Sequence, residues 1–201
     1  MVSVSRLRVP AKAASHLEAA KRRFAKMQLA QANIEIDRAI KIYPDFAQAF
    51  GMRALVSLAE KDFTASVESA AHAIRLDGAD AYSWVALATA YNSLNEWAEA
   101  EAAAGQALAL DPSVWQGRLE LAKSAYGEAR FELALYILEQ LNRDIPDVHL
   151  VQANSLMRLG RPQQAARQFS LFLQEAPGDS RADQIRQILI QVQSGYAQID
   201  K

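Results

Sequence analysis

The first ten positions, Met1-Val2-Ser3-Val4-Ser5-Arg6-Leu7-Arg8-Val9-Pro10, alternate apolar and polar side chains and stop at a proline. From residue 11 to residue 193 the pattern changes to helix after helix. Ala, Leu, Gln, Glu, Lys and Arg dominate this stretch, all strong helix formers, and Gly and Pro serve as punctuation. The punctuation is periodic. Pro44, Gly78, Pro112 and Pro146 stand 34 residues apart, as do Ala20, Ala54, Ala88 and Ala122. Ala32, Ser66, Ala100 and Ala134 keep the same step, and so do Phe63, Trp97 and Phe131. Several independent columns with one period mark an internal repeat. Ala153, Ala165 and Pro177 continue the columns after a step of 31, so three residues are missing, placed around Pro146-Asp147-Val148-His149. The copies then run about 13–46, 47–80, 81–114, 115–145 and 146–179. A tail or linker over 1–10 precedes them, and a capping helix over 180–193 and a tail over 194–201 follow.

Each copy reads as two antiparallel helices, A and B. The alanine columns sit where helices cross closely, because a larger side chain there would overpack the contact by about 1–3 kcal/mol. Phe50, Trp84, Phe63, Trp97 and Phe131 are expected to fill the space between layers. Pro44, Pro112, Pro146 and Pro177 break the chain between one copy's helix B and the next helix A. A single copy cannot bury its apolar face alone; stacking buries it, and the last copy needs a cap with a polar outer side. Ser180-x-x-Asp183 followed by Ile185, Ile188, Leu189 and Val192 on one face supplies that cap.

The third copy reads Trp84-x2-Leu87-Ala88-x2-Tyr91, then Ala100, Ala104, Ala107 and Leu110-Asp111-Pro112. This resembles the tetratricopeptide repeat, W-x2-L-G-x2-Y…A-x3-F…P at a 34-residue period, with Ala88 in place of the Gly and Ala104 in place of the Phe. The resemblance covers roughly 165 of the 201 residues. It implies an all-α fold, a right-handed α-solenoid of stacked antiparallel helix pairs, whose A helices line a concave groove that holds a partner peptide. Carried onto this sequence, the groove positions are Gln48, Gly51, Leu55 and Leu58 in copy two, and Tyr82, Val85, Thr89 and Asn92 in copy three. Copy four offers Gln116, Leu119, Lys123 and Tyr126; copy five offers Asp147, Leu150, Asn154, Met157 and Arg158. Tyr82, Thr89, Asn92, Lys123, Tyr126, Asn154 and Arg158 are the candidate peptide-binding residues, since amides pair with a peptide backbone in both directions and Tyr brings contact area at little entropic cost. The Lys and Asn clamp by which some such arrays hold a chaperone's C-terminal carboxylate is not reproduced. Its positions hold Leu17, Lys21, Met52, Tyr82 and Ala86, of which only Lys21 fits.

Composition narrows the chemistry. With 22 Lys+Arg against 23 Asp+Glu the net charge is −1, which argues against a nucleic-acid partner. The absence of Cys removes disulfides, thiolate zinc sites, iron–sulfur clusters and Cys nucleophiles. His16, His72 and His149 are far apart, and His16 and His149 fall in the Phe50/Trp84 column, which points to packing or a half-buried polar contact. No H-E-x-x-H, G-x-S-x-G, P-loop or G-x-G-x-x-G motif occurs, so no metal, cofactor or catalytic role is expected. No run of 18 apolar residues exists to span a bilayer as a helix. Charge is graded along the chain: residues 1–46 carry nine positive and four negative charges, including Lys21-Arg22-Arg23-Lys26, while residues 81–114 carry four negative and none positive.

The sequence therefore points to a non-catalytic protein-interaction scaffold that binds a protein or peptide. The alternatives are a self-assembling structural module, with a homo-oligomer as its consequence, and an accessory segment of a larger exported bacterial protein. The compartment stays open between cytoplasm and periplasm. If the groove acts as expected, substituting Asn92 and Lys123 weakens capture of the partner at unchanged stability.

Overall fold

The computed structural model describes residues 9–141 and 145–197. The N-terminal tail before Val9 and the last positions of the C-terminal tail lie outside them. Among the described residues there are eleven helices and no strand. They are α1 (Ala11–Phe24), α2 (Leu29–Ile42), α3 (Ala47–Glu60), α4 (Phe63–Leu76), α5 (Ala81–Leu94), α6 (Trp97–Leu110), α7 (Trp115–Gly127), α8 (Phe131–Glu139), α9 (Pro146–Arg158), α10 (Pro162–Glu175) and α11 (Ala182–Ala197). α1 packs on α2, α3 on α4, α5 on α6 and α9 on α10. Lys61-Asp62 is the whole connection between α3 and α4, and a link that short forces the second helix to run back along the first. The chain divides into two compact units, Met1–Glu120 and Leu121–Lys201, with the division inside α7.

The small-residue columns lie where the helices touch. Ala20, Ala54, Ala88, Ala122 and Ala153, with Ala32, Ser66, Ala100, Ala134 and Ala165, are all 0% exposed. Ser66 is tolerated there because its Oγ donates to the Ala54 carbonyl at 3.0 Å, one copy's helix B tied to its helix A. The bulky columns differ from expectation: Phe50, Trp84, Phe63, Trp97 and Phe131 are half-buried. Their edges do polar or stacking work, Trp84 Nε1 donating to the Gly78 carbonyl at 3.0 Å and Phe50 stacking on His72 with ring centroids 3.9 Å apart. The deepest large side chains are instead Ile36 in the first unit and Phe169, Phe172 and Leu138 in the second, each contributing about 1.5–3 kcal/mol of apolar burial.

Every turn from a helix A to its helix B carries one residue in the left-handed region: Met27, Lys61, Asn95, Ala129 and Gly160, with φ of 56°, 62°, 63°, 59° and 69°. Each turn closes with the same pair of backbone bonds. At Lys61, its own N–H donates to Leu58 O and the next N–H, of Asp62, to Ser57 O; Asn95-Glu96, Ala129-Arg130 and Gly160-Arg161 repeat the arrangement. This is the helix-ending geometry that ordinarily selects glycine, and only the last of the five has one. Asp62 then caps α4, its carboxylate accepting from Ala65 N–H at 3.0 Å.

Two local features depart from the sequence reading. The shortening between copies four and five is taken up before α9: α8 has nine residues where α2, α4, α6 and α10 each have 14. The last helix begins at Ala182, later than the expected 180, because Asp179 organises its start. The Asp179 carboxylate accepts from Arg181 N–H and from the Arg181 guanidinium, at 2.8 Å in each case. These bonds, the side-chain one first, hold Asp179 down to a pKa of about 2. Arg181 also reaches Asp147 of α9 at 2.9 Å and lies over the Phe172 ring, so the cap is fastened to the fifth helix pair by charge as well as by Ile185 in the apolar core.

Candidate functional site

On the first unit, the faces of α1, α3 and α5 enclose a cleft of about 260 Å³. Its floor is Met52, buried at 6%, and Gly51. Gly51 has a steric reason to be there: a Cβ at this position would come within 3.1 Å of Ser83 Oγ on α5, so the two helices approach more closely than Ala allows without adjustment. Leu55 and Tyr82 stand on the walls, 40% and 60% exposed, large apolar side chains turned to solvent. Lys21 of α1 contributes one charged edge, donating to Glu18 at 2.8 Å, a hydrogen bond that lowers the Glu18 pKa. Asp80, just ahead of α5, contributes the opposite edge, its carboxylate held by the buried Ser83 hydroxyl at 2.6 Å. A second hollow of about 410 Å³ shares Lys21 and Gln48 with the first and is walled by Val9, Leu17 and Phe46.

The candidate residues from the sequence meet different fates. Tyr82 lines the cleft, together with Gln48, Gly51 and Leu55 of the same groove set. Thr89 is half-buried and its hydroxyl donates back to the Val85 carbonyl one turn earlier at 3.0 Å. Asn92 is only 8% exposed, and its Nδ2 donates to both the backbone carbonyl and the carboxylate of Glu120 at 2.9 Å. Glu120 is itself 5% exposed, so this amide is a structural tie to α7, and of its two polar atoms Oδ1 remains without a partner. In the second unit, Tyr126 packs on Phe131 with ring centroids 5.4 Å apart, and the Arg158 guanidinium covers the same ring at 4.9 Å. Lys123 is half-buried and engaged with neighbours; Asn154 is half-buried. Two histidines are in polar contacts: His16 Nδ1 lies 2.6 Å from Glu35, lowering the Glu35 pKa chiefly through that hydrogen bond, and His149 Nδ1 lies 2.8 Å from Gln168 Oε1. Among the described residues no three His, Asp or Glu side chains converge to hold a metal, and no helix is long and apolar enough to cross a membrane.

Residues 81–114, the α5–α6 pair and its following turn, match the family model of the tetratricopeptide repeat. The whole architecture matches solved structures of the same kind. PilW, a widely conserved type IV pilus biogenesis factor, is 20% identical with a TM-score of 0.78, over 94% of this chain and 90% of that one. TTC0263, a thermophilic TPR protein of Thermus thermophilus, is 18% identical with a TM-score of 0.76, over 89% and 99%. The fold is that of tetratricopeptide-repeat proteins. A further tetratricopeptide structure, the first TPR of Spaghetti (RPAP3), bound to the HSP90 peptide SRMEEVD, is 19% identical with a TM-score of 0.57, over 59% of this chain and 94% of that one. No curated protein matches the sequence.

Within this α-solenoid, the sequence pointed to Lys21 through its clamp position but missed the left-handed column and the acidic edge of the cleft, Asp80. The first had a signal, since Met27, Lys61, Asn95 and Ala129 stand 34 residues apart, but their side chains share no chemistry and only the backbone unites them. Asp80 had no column signal; its place follows from the Ser83 bond.

Proposed function

We propose that this tetratricopeptide-repeat protein is a non-catalytic scaffold that holds a segment of a partner polypeptide against the α1, α3 and α5 face of its first unit. The observation that carries the reading is the pair of exposed walls, Leu55 and Tyr82, on either side of a floor built by Met52 and Gly51. Large apolar side chains exposed around a concavity are the usual mark of a surface that another chain covers. The fold neighbour that carries an HSP90 peptide supports the same use of this architecture, while the missing clamp positions argue that the segment held here has different chemistry.

The test is a pull-down from the source lysate with the wild-type chain and with a Leu55→Ser/Tyr82→Ser double variant. Wild type retains a specific protein that the double variant releases, at an unchanged helical circular dichroism spectrum. Equal capture by both removes the cleft from the account.

A further inference from the structure

The first helix carries a basic face that the cleft does not use. Lys12, Ser15, Ala19 and Arg22 follow one another at helical spacing on α1, on a different face from the buried Ala13, Leu17 and Ala20. At the end of this face Ala19, Arg22, Arg23 and Lys26 line a hollow of about 240 Å³ that no carboxylate of the described residues enters. Arg23 donates to the neutral Gln28 at 2.9 Å, and Glu18, one turn before Arg22, is bonded to Lys21. The side chains of Arg22 and Lys26 make no hydrogen bond or ion pair among the described residues. Three cations sharing one concavity attract an acidic surface.

The first unit also carries the matching surface. Residues 81–114 hold four acids and no Lys or Arg. Two of these acids, Glu96 and Glu99, are exposed at the start of α6, and their carboxylates make no hydrogen bond or ion pair among the described residues. Beyond them the outer face of α6 is low, since Ala102 is exposed and a Cβ at Gly105 would meet nothing within 4 Å. We propose that the basic α1 face docks on the α6 face of a second copy of this chain, with the two helices antiparallel. Both helices rise about 1.5 Å per residue, and Arg22 follows Ala19 by three residues as Glu99 precedes Ala102 by three. With Ala19 over Ala102, Arg22 therefore meets Glu99, Lys26 falls beside Glu96, and Ser15 falls beside Gln106. The parallel arrangement would bring only Lys12 to the acids. Opposite charges set the partner and the direction; the small side chains between them only permit the approach. Every copy offers both faces, so the contact is between unlike surfaces, and it uses no residue of the cleft.

The experiment is sedimentation velocity on the full chain, up to about 1 mM, at about 0.01 M and about 0.5 M salt. Wild type should exceed the monomer mass at low salt, and high salt should weaken the association about tenfold or more. Arg22→Glu/Lys26→Glu and Glu96→Lys/Glu99→Lys should each be monomeric, with the helical circular dichroism spectrum of wild type. An equimolar mixture of these two folded variants should associate again, because the reversed α1 face of one matches the reversed α6 face of the other. The neutral variant Arg22→Gln/Lys26→Gln should weaken association about fivefold, and it carries the test if a reversed variant fails to fold. A monomeric wild type, association that salt or the neutral variant leaves unchanged, or a mixture of folded variants that stays monomeric overturns the proposal. Wild type that stays monomeric yet co-sediments with phosphatidylglycerol vesicles also overturns it and gives the basic face to an anionic membrane.

Discussion

The aromatic and apolar side chains of the two units stand in contrasting states. In the first unit, Tyr82 and Leu55 face solvent across a cleft. In the second unit, Tyr126 and Arg158, from the same set of sequence candidates, both lie on Phe131. A side chain that already has a partner brings a ligand only the difference between the new contact and the old one. Tyr82, at 60% exposed, has most of its contact area to offer, while Tyr126 and Arg158 must first leave Phe131. The same residue types at neighbouring repeat positions can thus serve recognition in one place and internal packing in another.

The strongest way to sharpen that contrast is Asn92→Ala. Asn92 shares helix α5 with Tyr82 but is buried, and its amide holds the Glu120 carbonyl and carboxylate. Losing a hydrogen bond to a buried charged group costs about 2 kcal/mol, so the urea midpoint should fall at unchanged slope. An unchanged midpoint would return Asn92 to the set of free groove donors. The sequence-based expectation of weakened capture at constant stability is therefore replaced for this residue by a loss of stability.

A smaller effect separates the two tyrosines directly. Tyr126→Ala should destabilise the chain by about 1 kcal/mol, the worth of a packed ring pair. Tyr82→Ala should leave thermal stability within about 0.5 kcal/mol, as surface changes do, while reducing capture of the partner. Equal melting curves for the two variants would show that the Tyr126 ring contact stabilises nothing and would break the contrast.

How far the sequence reveals this molecule depends on whether the physics lives in side chains or in the backbone. The alanine columns were legible because close helix crossing admits only small side chains, and every member is fully buried. The groove was legible in part: Tyr82, Leu55, Gly51 and Gln48 meet in one cleft, because their repeat positions fix which way each points. The fate of Asn92 was not legible, because it depends on Glu120, 28 positions away on another helix. Nor was the short α8, since a deletion between two aligned columns can be absorbed by a loop or by either helix.

The smallest predicted effect concerns the left-handed turn residues and treats the two units alike. Ala129 closes the α7–α8 turn at φ 59° and Asn95 the α5–α6 turn at φ 63°. An L-residue other than Asn or Asp spends about 1–2 kcal/mol to hold that conformation. Replacing it by Gly removes this strain but gives back about 0.5–1 kcal/mol through the greater freedom of the unfolded chain. Ala129→Gly should therefore raise stability by about 0.5 kcal/mol, the difference of those two contributions. Asn95→Gly should lower it by about 0.5 kcal/mol, because the Asn amide already makes the left-handed region accessible and the greater freedom of the unfolded chain is then the larger of the two contributions. Gly160→Ala, at φ 69° with open space around the new Cβ, should reverse the Ala129→Gly gain, since backbone strain is then the only term that changes in the folded chain. Thermal melts of the three variants measure the series, and a destabilised Ala129→Gly would mean that contacts of the alanine methyl outweigh the backbone in this turn.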